Sequence, residues 1–221
     1  MCTWQRIDRL PLTLSMLESQ TYGDFTFYIW NNNISYSNRI ADYMKDSPLD
    51  TRGFLNNNNI GGIGRFVASR GITHKHDYVI FIDDDQLFEP TFIQQMVSQA
   101  KPNTIAGWYA WEIRGGYFDR TPATNKADYV GTGGMICDIN AFKNKPLFNI
   151  PSKYQFVEDL WLSFYCKYEL GYELYKASVN MTFMPEEDKR DQFRVRNLGP
   201  LKAEFYHYLN VRFKEKVRTL T

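Results

Sequence analysis

The stretch Tyr78-Val79-Ile80-Phe81-Ile82-Asp83-Asp84-Asp85-Gln86-Leu87 sets three carboxylates directly after five residues patterned like a fully buried strand. Runs apolar on both faces belong to strands covered by helices on both sides. That means a mainly parallel sheet with ligands bound beyond the strand carboxyl ends, and the three aspartates sit at such an end. Three consecutive like charges repel, and at the rim of a low-dielectric core a divalent cation is the natural relief. If the strand persists, Asp83 and Asp85 point the same way, with Cα atoms about 6.6 Å apart from two rises of roughly 3.3 Å, while Asp84 points oppositely. That separation is wide for two direct ligands on one small ion, so the expectation is Asp85 on the metal and Asp83 on it through water. The alternative is a solvated turn whose aspartate caps the helix after Pro90.

The same alternation continues on both sides. Upstream, Asp8 is placed to cap a helix through Leu10, Leu14 and Leu17. Phe25 to Trp30 reads as a strand, and Ile63, Phe66 and Val67 follow a glycine-rich entry. Downstream, Pro90 suits a first helical turn, and Phe92, Ile93, Met96, Val97 and Ala100 form a buried stripe ending near Pro102. A strand over Thr104 to Tyr109 comes next. From Trp111 to Asp128 glycines, aromatics and charges mix without period, which predicts a mobile lid. Tyr129 to Cys137, containing Gly131-Thr132-Gly133-Gly134, predicts an extended segment. Leu160, Phe164 and Tyr168 predict a helix stopped by Gly171, and the tail from Leu201 is amphipathic and charged.

Composition narrows the function. The 221 residues are 43% hydrophobic and 16% aromatic, enough for a proper core. The 26 lysines and arginines nearly balance 25 aspartates and glutamates, so no general attraction to nucleic acid or to a membrane surface is encoded. Cys2, Cys137 and Cys166 lack the spacing of a metal or redox pair and read as free thiols of a reducing compartment. With no run of about 18 apolar residues and no signal-peptide pattern, the expected location is cytoplasmic, without a transmembrane segment. The sequons at Asn33 and Asn180 are then accidental.

From Cys2-Thr3-Trp4-Gln5-Arg6 to about Met184, the chain resembles the GT-A glycosyltransferases, especially family-2-like inverting enzymes. Asp83-Asp84-Asp85 is similar to their DxD motif, and CTWQRIDRLPLTLSMLESQTY to their first βα unit. Tyr28-Ile29-Trp30-Asn31-Asn32-Asn33 resembles their nucleotide-base strand end, and Asn59-Ile60-Gly61-Gly62-Ile63-Gly64-Arg65 their glycine-rich helix start. Gly133-Gly134 looks like their acceptor-side loop and Glu158-Asp159 like their late acidic pair. The chain looks most like the amino-terminal glycosyltransferase domain of a large algal-virus protein that builds capsid glycans, which implies host cytoplasm and further domains beyond this chain. Two departures stand out: asparagines replace the family's base-recognising aspartate, and little of the first strand precedes Cys2.

The resemblance implies one GT-A domain over residues 1–200, with a nucleotide-binding half at 1–107 and an acceptor and catalytic half at 108–200, followed by a helical tail at 201–221. It implies a Mn2+ or Mg2+ ion, a nucleoside-diphosphate sugar donor, with uridine expected, and a glycan or glycoprotein acceptor. Thr3, Arg6, Asn31, Asn32, Gly62, Arg65, Asp83, Asp84 and Asp85 are the donor-side candidates, with Asp83 also able to take a sugar hydroxyl. An asparagine offers donor and acceptor to a uracil edge, or simply makes a polar turn. Arg65 fits near the diphosphate or on a solvated helix face. Asp159 is the candidate base, with Glu158 orienting the acceptor or structural; a helix start favours ionised carboxylates in either case. Trp108 and Trp111, with Gly133 and Gly134, are the acceptor candidates, and aromatics of core type are the alternative. His207 reads as a helix surface residue rather than a completion of the metal shell from the tail, and the basic run Lys189, Arg190, Arg194 and Arg196 reads as a solvated face or as a cluster closing over the diphosphate. Rival functions are a sugar-nucleotide nucleotidyltransferase and a non-catalytic glycan-binding module on the same fold.

Overall fold

The structure is a computed structural model that describes residues 1–185, 190 and 192–213. In chain order its main elements are β1 (Cys2–Thr3), α1 (Leu10–Glu18), β2 (Phe27–Asn31), α2 (Ser37–Asp46), β3 (Thr51–Leu55), α3 (Ile63–Gly71), β4 (Tyr78–Phe81), β5 (Gln86–Phe88), α4 (Phe92–Ser98) and β6 (Thr104–Gly107). They continue with β7 (Ala110–Gly116), β8 (Asp119–Pro122), β9 (Tyr129–Val130), β10 (Met135–Asp138), α5 (Glu158–Glu169), β11 (Glu173–Lys176), β12 (Met181–Phe183), α6 (Gln192–Val195) and α7 (Leu198–Arg212).

The alternation of strand and helix produces the expected α/β architecture. β1, β2 and β3 pair in parallel. The second sheet runs β11-β6-β10-β4. There β4 and β6 are both antiparallel to β10, and β11 is parallel to β6, so only β10 is reversed. Of these strands β6 and β10 are fully buried, whereas β3 is partly exposed and β4 is only part-buried over Tyr78, Val79 and Ile80, so the fully buried run expected before the aspartates is not what is seen.

α7 is part of this packing. Its Phe205 and Leu209, with Phe213 just past its end, enter the same buried cluster as Trp161 and Phe164 of α5, and Phe205 stacks on Tyr154 with ring centroids 4.0 Å apart. The stripe Leu198, Lys202, Phe205, Leu209 is the inward face of α7.

The structure corrects four local expectations. β4 ends at Phe81, and residues 84 and 85 form a turn closed by Gln86, whose Oε1 accepts from the Asp83 N–H at 2.9 Å. The strand alternation assumed for the three aspartates therefore does not apply. Asp8 is not the cap of α1; its carboxylate pairs with Arg190 at 2.7 Å, and a 3-10 turn over Ile7–Arg9 leads into the helix. The segment read as a lid is built as a hairpin of β7 and β8, joined by β9. Its order was hidden because the hairpin is held by Arg120, seated over Trp111 at 4.7 Å and Tyr117 at 4.1 Å, rather than by apolar alternation. Finally, Tyr129 to Cys137 is two strands, not one, broken at Gly134 by a φ of 70° that glycine adopts freely.

Candidate functional site

A cavity of about 220 Å³ opens where the ends of β1 and β2, the start of α3, the Asp83–Asp85 turn and the start of α5 converge, with α7 along one side. Sequence-local physics delivers each group there. β1 pairs with β2 so that Thr3 stands beside Asn31, and the loop after β1 then presents Arg6. β4 delivers the aspartates at its end.

The three aspartates are paired with two guanidiniums. Arg65 Nη1 donates to Asp83 Oδ1 at 2.8 Å. Arg6 donates through Nη2 to Asp84 Oδ1, and through Nη1 to Asp85 Oδ2 at 3.3 Å. Burial raises the Asp84 carboxyl above its ordinary value against the pull of Arg6. The side chains become more accessible from Asp84 to Asp85 to Asp83, at 10%, 17% and 32% exposure.

Among the described residues no group of three His, Cys, Asp or Glu could form an all-protein metal cage. The donor set instead suits a hard cation held by one or two carboxylates and completed by phosphate oxygens, which is how Mg2+ is commonly bound. Asp85 and the partly accessible Asp83 could hold it, each being paired with a guanidinium in this structure.

The asparagines and glycines of the cavity wall already have internal work. Asn32 is 3% exposed; its Nδ2 donates to Gly61 O at 3.0 Å, and its Oδ1 accepts from Trp30 Nε1 at 3.0 Å and from the Ile60 N–H at 3.2 Å. Asn31 is buried outside the cavity lining, with Oδ1 accepting from the Asn33 N–H at 2.9 Å. A Cβ on Gly62 would stand 1.6 Å from Glu158 Oε1, and one on Gly64 2.3 Å from Trp30 Nε1. These glycines let α3 press against α5 and β2.

Glu158 and Asp159 open α5 inside the protein, at 5% and 9% exposure. Burial raises Glu158 to about 7 against the pull of Arg65, whose Nε is 3.7 Å from its Oε1. Burial alone would raise Asp159 too, but Lys202 and Tyr129 hold it below its ordinary value. Lys202 Nζ lies 2.6 Å from Asp159 Oδ2 and donates to the Tyr129 hydroxyl at 2.9 Å; that hydroxyl in turn donates to Asp159 Oδ2. Asp159 Oδ1 accepts from the Leu160 N–H at 2.8 Å. The helix macrodipole expected to depress both acids acts on both alike, so it does not set their difference.

The cavity thus gathers Thr3, Arg6, Asn32, Gly62, Arg65, Asp83, Asp84, Asp85, Glu158 and Asp159, and leaves Asn31, Trp108, Trp111, Gly133 and Gly134 outside its lining. Trp108 and Trp111 belong to an aromatic group with Tyr109 and the half-exposed Phe183. Gly133 packs under the aspartate turn, where a Cβ would meet Asp83 Oδ2 at 2.6 Å. His207 is exposed on α7. Of the basic run, Lys189 lies outside the described residues, Arg190 pairs with Asp8 at the cavity, and Arg196 stacks over Phe156 at 3.9 Å and Trp4 at 5.7 Å.

Lys202 and Tyr129 were missed from sequence. The signal for Lys202 was its place in the apolar stripe of α7, where a buried ammonium demands a carboxylate. For Tyr129 there was none beyond a hydroxyl in a buried strand.

No protein-family model and no curated protein matches the sequence. Solved structures do. The chain is similar to the crystal structure of S. aureus TarS residues 1–349 in complex with UDP, with a TM-score of 0.60 and 14% identity, covering 91% of this chain and 63% of that one. A second TarS 1–349 structure, in complex with UDP-GlcNAc, aligns at 0.60 and 13% identity over 85% of this chain and 58% of that one. GalNAc-T7 with UDP, GalNAc and Mn2+ aligns at 0.54 and 12% identity over 73% and 38%. The chain therefore spans about three fifths or less of these proteins, and what it shares with them is the α/β fold of GT-A glycosyltransferases. No described helix is long and apolar enough to cross a membrane.

Proposed function

We propose that the chain is a metal-dependent inverting glycosyltransferase that moves a sugar from a nucleoside-diphosphate donor, UDP-linked, to a hydroxyl of a glycan or glycoprotein. The observation that carries this reading is a single cavity joining an aspartate turn at a strand end to a buried carboxylate pair on the following half. It has this arrangement on a fold whose solved relatives include proteins in complex with UDP and UDP-GlcNAc. The algal-virus origin, the cytoplasmic setting and the division at residue 200 belong to the same proposal and rest on the sequence resemblance.

The residues divide the work. Asp85 and Asp83 would hold the cation, which when bound offsets charge on the departing diphosphate. Arg6 and Arg65 bring guanidiniums to the same wall, suited to phosphate oxygens. Asp159 takes the proton of the acceptor hydroxyl; the acceptor oxygen bonds to the anomeric carbon as the bond from that carbon to the diphosphate oxygen breaks. Trp108 and Trp111, which lie outside the cavity lining, are the aromatic residues proposed to meet an acceptor that extends beyond it.

A thermal-shift series of UDP-sugars with and without Mn2+ tests the reading. Selective stabilisation by one UDP-sugar plus Mn2+, followed by transfer to an acceptor, is the expected result. Pyrophosphate release from UTP and a sugar phosphate would instead identify a nucleotidyltransferase. Glycan binding with no nucleotide response would identify a binding module.

A further inference from the structure

We propose that Lys202, carried by α7, is a positioning residue for Asp159: its ammonium, together with the Tyr129 hydroxyl, fixes the carboxylate that takes the acceptor's proton. The inference rests on the transferase reading above. It starts from two neighbours in one helix turn. Glu158 and Asp159 are consecutive, both buried and both at the amino end of α5, so burial and macrodipole act on them alike. Their cations differ. Arg65 stands 3.7 Å from Glu158, whereas Lys202 stands 2.6 Å from Asp159 and shares it with Tyr129.

The groups facing Asp159 come from every element around it: Lys202 on α7, Tyr129 on β9, Glu158 beside it on α5, and Arg65 of α3 beyond Glu158. Lys202 is itself 8% exposed and lies against the rings of Tyr129, Tyr117 and Phe193 at 5.3, 5.8 and 5.9 Å. A lysine so enclosed stays charged only against an ionised carboxylate, and the carboxylate stays ionised only against the lysine. During transfer the acceptor's proton goes to Asp159, Lys202 keeps its own, and the Leu160 N–H and Tyr129 hydroxyl hold the carboxyl in place. Without Lys202 the largest opposing pull is lost, and burial then raises the Asp159 carboxyl as it raises that of Glu158.

The test uses Lys202→Met and Lys202→Arg in the full chain. Carbon-13 NMR titration of side-chain-labelled aspartates, with Asp159→Asn identifying the resonance, should place wild-type Asp159 below ordinary carboxylates. It should move the titration up by more than one pH unit in Lys202→Met and return most of it in Lys202→Arg. The pH dependence of kcat/KM, with the UDP-sugar found by the thermal-shift series, should shift its acid limb upward in Lys202→Met and recover in Lys202→Arg. A purely structural lysine would lower the rate at every pH and leave the limb in place, which would overturn the proposal. So would a wild-type Asp159 that titrates at or above the ordinary range, a result that needs no variant to fold. If no UDP-sugar binds while the Asp159 titration moves as stated, the transferase reading fails and the Lys202 clamp stands.

Discussion

At the Asp83–Asp85 turn three carboxylates meet Arg6 and Arg65 at a cavity rim where Asp83 is 32% exposed, whereas at the start of α5 Glu158 and Asp159 meet Arg65 and Lys202 in the interior. The two places solve the same electrostatic problem on one cavity wall; the Asp84 side chain, at 10% exposure, is as enclosed as that of Asp159 at 13%, and it is Asp83 that opens to solvent. At the rim, solvent lowers the cost of an altered pairing, so a bound ion or a phosphate can take over from a guanidinium. At the start of α5 both acids are enclosed, and the nearest fixed cation biases which of them holds a proton. In the proposed transferase the aspartate turn would do the binding and the start of α5 the proton transfer.

The sharpest way to break this division is to exchange the two losses. Asp159→Asn should cut transfer by about 10²–10⁴-fold, the usual worth of a general base, while leaving the stabilisation by UDP and Mn2+ in place. Asp85→Ala should do the reverse and abolish the Mn2+-dependent part of that stabilisation. If both variants lose donor binding alike, the division is wrong.

Next in size is the cost of orphaning a buried charge. Lys202→Met should lose about 3–5 kcal/mol in urea unfolding, as should Asp159→Asn, and the double variant should lose much less than the sum, because neither partner then remains unpaired. Additive losses would mean the pair is not coupled.

A smaller effect should appear in the pH dependence of stability. Glu158 has a folded value raised to about 7 from an ordinary 4.5. Its stabilising contribution is therefore complete below about pH 4.5 and is lost as pH rises through 7, at about 1.4 kcal/mol for each pH unit separating the two values. Glu158→Gln should flatten this decline in urea unfolding followed from pH 4 to 8. Asp159, with its value held low, contributes stability that is lost only on strong acidification, so the two neighbours should act at opposite ends of the scale.

The smallest effect belongs to the rim's outer tie. Arg190 and Asp8, with side chains 41% and 48% exposed, should contribute less than about 1 kcal/mol, and Arg190→Ala should barely move the unfolding midpoint.

The aspartate side of the cavity was legible in the sequence because its parts are contiguous. An apolar run ending in three aspartates, and glycines opening a helix, each state their position locally. α5 was equally plain, from Leu160, Phe164 and Tyr168 to the stop at Gly171, which has a φ of 70°. What was hidden is carried by contacts between distant residues. The partner of Asp159 comes from 43 residues downstream, and the partners of the three aspartates from up to 79 residues upstream. The β7–β8 hairpin was misread for a related reason, since its order lies in Arg120 bridging Trp111 and Tyr117, a pairing no periodicity reports.

The place of Lys202 on a late helix also has a consequence for biosynthesis. A nascent chain that has released α5 holds two buried acids against one guanidinium until residue 202 leaves the ribosome, so the corner at the start of α5 is the last part of the cavity to be completed. Termination before that codon would leave a domain with its aspartate turn assembled and its other acidic corner short of a counter-ion.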